Sequence, residues 1–142
     1  MLTRLESWPS ALSDYLLRAE RIRFRYGSQD CGLFVAGAIR AMTGVDVAST
    51  LRGYTNRAEA FNRIATLCGT PTMEAVAGHL AALHGVPEVL VLCAQRGDAV
   101  SLRSGRRSSL GIVAMHGTEI LTPYRAGLLR LPLSYARRAW HI

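Results

Sequence analysis

Residues 24–39 read Phe-Arg-Tyr-Gly-Ser-Gln-Asp-Cys-Gly-Leu-Phe-Val-Ala-Gly-Ala-Ile, and the fold turns on how this stretch is read. Its first part, Phe24 to Gln29, carries Gly27 and Ser28 and suits an extended turn. Asp30 then stands where a helix N-cap belongs, because a short side chain with an acceptor oxygen satisfies the free N–H groups of the first turn. From Cys31 the chain is apolar on nearly every side until Arg40, which predicts a helix buried in the middle of a domain. Gly44 closes it as a C-cap would. A thiol in the first turn of a helix feels the positive end of the dipole, which favours thiolate and prepares a nucleophile. Asp30 opposes that effect, so its expected task is to cap the helix. The residues alone leave two readings of Cys31 open, an activated nucleophile and a small buried side chain of the kind free cysteines often are.

Outward from this segment, Leu12, Tyr15, Leu16, Ala19 and Ile22 follow the three-to-four spacing of one buried helix face, with Ser10 or Ser13 as cap and an end near Arg23. After the polar stretch from Val45 to Ala60, the pattern predicts helices over Arg57–Leu67 and Thr72–Leu83, separated by Gly69 and Pro71. Beyond Gly85 and Pro87 come short β-compatible runs at Val89–Cys93, Ala99–Arg103, Leu110–Met115, Glu119–Thr122 and Leu128–Leu131. The loops SGRRSS, from Ser104, and MHGTE, from Met115, suit hairpins. Helices followed by an antiparallel meander predict an α+β fold, and the absence of a linker or repeat predicts one domain over residues 1–142.

A chain of 142 residues buries about two-thirds of its unfolded surface, enough for an independent core. No run approaches the roughly 18 apolar residues of a membrane span, since the longest, Val86 to Ala94, holds Pro87 and Glu88. The opening MLTRLESWPS lacks the pattern of a secretory signal, so synthesis in the bacterial cytoplasm without a signal peptide is expected. Three widely spaced cysteines, Cys31, Cys68 and Cys93, form neither a disulfide framework nor a CxxC metal site; Cys68 and Cys93 read as core. The net charge of +7 invites a nucleic-acid reading. However, all 17 basic residues are Arg, which points to a bias along the whole chain. Only Arg18/Arg21/Arg23/Arg25, Arg103/Arg106/Arg107 and Arg137/Arg138 cluster. A polyanionic partner such as an envelope surface or an acidic protein is favoured over DNA or RNA.

Tyr26-Gly27, then Asp30-Cys31-Gly32-Leu33-Phe34 running into an apolar helix that closes with Thr43-Gly44, resembles the nucleophile motif of NlpC-type peptidases. Gly97-Asp98-Ala99-Val100 resembles the Gly-Asp step before that family's histidine strand. Leu110-Gly111-Ile112-Val113 is similar to the His-Val-Gly-Ile-Tyr strand itself, and Glu119-Ile120-Leu121-Thr122 to the short strand after it. These matches fall in the family's order over residues 24–125. The resemblance implies a papain-like fold with Cys31 at the start of the central helix, packed on a C-terminal antiparallel sheet. More narrowly, Trp8, the segments Ala41–Asp46 and Leu51–Tyr54, and the ending from Gly127 to Trp140 resemble a small NlpC-like family encoded among tail genes of tailed phages and prophages, near distal-tail and hub proteins.

A thiolate peptidase needs a histidine base and a polar group to orient it. Under this resemblance Cys31 takes the nucleophile position, the histidine position falls on Ser109, and the third position falls on Thr122. Serine is no base at neutral pH, and Thr122 has no imidazole to orient. His116 is the alternative base, but it lies about 20 Å along the strand from Ser109, so only a shifted register would bring it to Cys31. His79 and His84 are five apart on a helix and read as surface or helix-end residues, and His141 sits at the chain end. Zinc binding by a cysteine with one of these histidines lacks the local pairing such sites show, so neither a metal nor another cofactor is expected.

Three functions follow from the resemblance. One is a structural or assembly component of a phage or phage-like tail tip, built on a degenerate peptidase fold, incorporated into the virion tail and contacting tail-tip or hub proteins. The second is a cysteine hydrolase of peptidoglycan peptides. The third is a cleft that binds such peptides or a neighbouring tail protein without turnover.

Overall fold

The structure is a computed structural model describing residues 2–104, 107–114 and 116–142. Arg106 of the expected arginine cluster, Met115 at the expected strand end, and the parts of the two hairpin loops that contain Gly105, Arg106 and Met115 lie outside the described residues. Among those described, four α-helices precede a six-stranded antiparallel sheet, an α+β arrangement. The helices are α1 (Trp8–Ala19), α2 (Cys31–Thr43), α3 (Arg57–Cys68) and α4 (Met73–Leu83). The strands are β1 (Glu88–Val89), β2 (Ala99–Ser104), β3 (Arg107–Val113), β4 (Glu119–Tyr124), β5 (Gly127–Pro132) and β6 (Ala136–Trp140), in the spatial order β1-β6-β2-β3-β4-β5. Among the described residues, no helix is long and apolar enough to cross a membrane.

The helix α2 forms where its apolar run predicts, and it buries Leu33, Phe34, Val35, Ala36, Ala38, Ile39 and Met42 against both α1 and the sheet. Each such large apolar side chain contributes about 1.5–3 kcal/mol by leaving water, which is why this helix tolerates no polar face. The helix α1 crosses it through Tyr15, whose ring stacks on Phe34 at 5.8 Å and whose hydroxyl donates to the Phe34 carbonyl at 2.8 Å. Four residues after Phe34's neighbour Leu33, Gly37 leaves room for that hydroxyl.

Several expected boundaries move. The helix α1 begins at Trp8, not after Ser10 or Ser13, because Pro9 supplies a preset φ in the first turn. It ends at Ala19, so Ile22 lies beyond it and is exposed. The run from Val89 to Cys93 is not one strand: β1 is two residues long, and Val91–Cys93 forms a 3-10 turn that turns Cys93 outward. Cys93 is therefore exposed and not core, and Cys68, at the end of α3, is only half-buried.

β6 is absent from the strands the sequence predicts, yet it lies between β1 and β2 inside the sheet. Its residues, Ala-Arg-Arg-Ala-Trp, do not alternate. The register against β2 jumps from Ser101↔Arg138 to Leu102↔Ala136, which leaves Arg137 as the extra residue of a bulge. Arg138 is carried out of the sheet by a two-pronged pair with Glu88, both contacts 2.8 Å.

β6 also closes the chain on itself through Asp98, which is fully buried. That carboxylate accepts from Arg4 Nη2 at 3.0 Å, from the Gln95 amide at 2.8 Å and from the Ile142 amide at 3.3 Å, and His141 Nδ1 lies 2.9 Å from it. Arg4 Nε donates in addition to the Ile142 carbonyl at 2.7 Å. The Gly97-Asp98 step thus ties both ends of the chain to the start of β2. Gly97 stands at φ +90° with the Met42 sulfur 2.8 Å from where a Cβ would be, so any other residue would be strained there.

Candidate functional site

The sheet has two distinct faces, and each residue of β3 can be assigned to one. Leu110, Ile112 and Ala114 join the core under α2, while Val100, Leu102, Val113 and Ile120 form a second core on the far side. A side chain at Gly111 would meet Ile120 and Leu102, which places position 111 on the far face.

Cys31 is the first residue of α2, and the turn before it is built around Asp30. One oxygen of Asp30 accepts from the Leu33 amide at 2.9 Å, as the expected N-cap should. The other accepts from the Gly27 amide at 3.0 Å and from the Tyr54 hydroxyl. Gly27 stands at φ +86°, and a Cβ there would run into the Tyr54 carbonyl. Reciprocal bonds between the main chains of Arg25 and Gln29, 3.2 and 2.8 Å, close the turn. Three separate stretches of sequence, Tyr26-Gly27, Asp30-Cys31 and Leu51–Tyr54, therefore form one knot. Burial, followed by the hydrogen bond to Asp30, pushes the Tyr54 phenol far above its ordinary range, so it remains a donor.

Cys31 is half-buried and borders a cavity at the head of α2. Burial pushes its thiol up to about 11, and the Asp30 carboxylate adds to the rise. Hydrogen bonds from the amides of Leu110, Gly32 and Cys31 itself pull the other way without offsetting it. The helix dipole that suggested a thiolate is thus outweighed by desolvation, and the neutral thiol is favoured at pH 7.

β3 and β4 pair only at Ile112↔Leu121 and Val113↔Ile120 and then part, leaving a fork. The main chain of Leu110 borders it, and its carbonyl accepts from Thr122 Oγ1 at 2.8 Å. No signal in the sequence marks Leu110 for this part, because any residue supplies the same main-chain carbonyl. Thr122 is buried, and its hydroxyl spends its proton on this bond.

Ser109 pairs with Leu102 across the β2–β3 ladder, so it lies on the far face with the second core. The serine on the α2 side is Ser108, whose Oγ accepts from the Met73 amide at 3.2 Å and so caps α4. Cys31, Ser109 and Thr122 nevertheless border one cavity of about 1320 Å³, which runs from the fork beneath α3 and α4. His116 does not border it and lies exposed in the β3–β4 turn. His84 ends α4 and borders the cavity, His79 is exposed on α4, and His141 belongs to the Asp98 cluster. Among the described residues, no imidazole hydrogen bonds to Cys31 and no three His, Cys, Asp or Glu side chains gather as a metal site requires.

The arrangement is therefore a neutral thiol beside a large cavity, without a base in contact. Residues 3–142 match a family described as a domain of unknown function (DUF6950), and the chain belongs to that family. Among curated proteins, none matches it.

Proposed function

We propose that this chain is a catalytically retired NlpC-type domain that serves as a structural component of a phage or phage-like tail tip, in contact with other tail-tip or hub proteins. One observation carries the retired state: among the described residues no imidazole hydrogen bonds to the Cys31 thiol, which burial raises to about 11. A peptidase of this type needs the opposite, a thiolate poised near neutral pH beside a base. The papain-like fold is supported by the placement of Cys31 at the head of a buried helix laid on an antiparallel sheet, and by Asp30, Gly27 and Asp98 each filling a defined structural place. The tail-tip setting rests on the resemblance of Trp8, residues 41–46 and 51–54, and the Gly127–Trp140 ending to the tail-encoded family.

The test is a Cys31→Ala particle. Assembly and infectivity equal to wild type are expected, and a fully assembled but non-infectious particle would overturn the proposal. The reading as a peptidoglycan hydrolase draws on a different observation, that Cys31 borders a cavity large enough for a peptide. It predicts alkylation of Cys31 at neutral pH and cleavage of muropeptides, and it fails if the folded protein shows neither.

A further inference from the structure

The cavity beside Cys31 has a chemistry of its own. Met73, Val76, Leu80 and Leu110 give it an apolar floor. Arg57, Arg63, Arg103, Arg107 and Arg125 border it, all exposed, and among the described residues none of the five is paired with a carboxylate. The two carboxylates that border the cavity are already engaged. Asp30 is held by Leu33, Gly27 and Tyr54, while Glu74 accepts from Ser101 Oγ at 2.9 Å and lies 3.9 Å from Arg137. The rim is thus strongly cationic over a floor that repels charge.

The fork adds a third element. From Leu110 toward Arg107, β3 pairs with β2 but no longer with β4. Main-chain groups alternate between the two edges of a strand, and those of Leu110 face the fork, so those of Ser108 face it too and have no β4 residue opposite them. Unpaired strand edges of this kind accept extended peptide backbone.

We infer that this cavity docks an extended acidic segment of a partner protein, with the segment's apolar side chains on the Met73–Leu110 floor, its carboxylates against the arginine rim and its backbone along the open edge of β3 at Ser108. A nucleic acid satisfies the rim but not the apolar floor, and offers nothing to the strand edge. Guanidinium forks match carboxylates geometrically as well as in charge. This docking deepens the proposed assembly role and rests on it for the claim that the cavity binds without turnover.

The experiment titrates the full-length protein with a fluorescent peptide of about eight residues alternating Glu with Leu and Thr, beside its Gln-for-Glu counterpart. The Glu peptide is expected to bind at least about tenfold more tightly than the Gln peptide, and the difference is expected to shrink as salt rises. Arg103→Glu and Arg107→Glu are each expected to weaken it by about fivefold or more, whereas Arg18→Glu, on α1 away from the cavity, leaves it unchanged. Thermal melting checks that each variant is folded. Equal binding of the two peptides, no binding of either, an equal loss in Arg18→Glu, or tighter binding of a single-stranded oligonucleotide or a muropeptide would each overturn the docking inference. Muropeptide cleavage is followed separately: turnover by wild type that is lost in Cys31→Ala overturns the non-catalytic reading, and the peptide titration still decides the docking.

Discussion

Asp30 and Asp98 are both buried carboxylates set in turns that contain a left-handed glycine, yet they are satisfied in opposite ways. Asp98 meets cationic and neutral donors together, the guanidinium of Arg4, the ring of His141 and the amides of Gln95 and Ile142. Asp30 meets only neutral donors, the amides of Gly27 and Leu33 and the hydroxyl of Tyr54. The first is a charge-compensated clamp that joins the two ends of the chain. The second leaves its negative charge beside the Cys31 sulfur, where it opposes ionisation. An acidic residue kept for helix capping is thus incompatible, at this spot, with an activated thiol unless a base or cation offsets it.

The contrast can be broken most severely at Asp98. Asp98→Ala takes a charge partner from the partly buried Arg4 guanidinium and the acceptor from two amides, and a loss of about 2–4 kcal/mol is expected from urea unfolding. A loss under about 1 kcal/mol would mean that the termini are held by other contacts. Asp30→Asn removes charge but keeps one acceptor, so a smaller loss of about 1–3 kcal/mol is expected. The same variant should move the alkylation midpoint of Cys31 downward from about 11, because the carboxylate is one of the two causes of its rise. An unchanged midpoint would assign the whole shift to burial. Tyr54→Phe takes one donor from Asp30 and is expected to cost about 0.5–1.5 kcal/mol, with the Cys31 midpoint held above its ordinary value by burial.

The last effect concerns pH. The folded Cys31 titrates at about 11, above its ordinary value of 9.0, so the folded state prefers the neutral thiol. Its contribution to stability is complete below the ordinary value and is lost as pH rises through the folded one. Unfolding free energy is therefore expected to fall between about pH 9 and pH 11, and to fall less steeply in Cys31→Ala. Parallel pH profiles for the two proteins would show that the thiol is not desolvated on folding.

Much of the helical half was legible because its signals are local. The apolar run after Cys31, the Asp30 cap and Gly44 in a left-handed C-cap all depend on residues within one turn of each other. The β half was less so. Arg137 and Arg138 hide β6 because a bulge breaks the alternation that reveals a strand, and the exposed turn at Cys93 is as apolar as a core strand. At the candidate site, the resemblance to NlpC-type peptidases singles out Cys31, Ser109 and Thr122, and all three border one cavity. It does not show that Ser109 and Ser108 face opposite sides of β3, since that depends on pairing with Leu102 and Arg103.

By itself the sequence determined the α+β class, the buried helix headed by Cys31 and the capping place of Asp30, because propensity, capping and periodicity act over a few residues. Only the tertiary structure decided that burial raises the Cys31 thiol, that the Leu110 carbonyl engages Thr122, and that β6 enters the sheet. Each of those depends on desolvation or strand pairing between residues far apart in the chain, and neither leaves a trace in the local pattern.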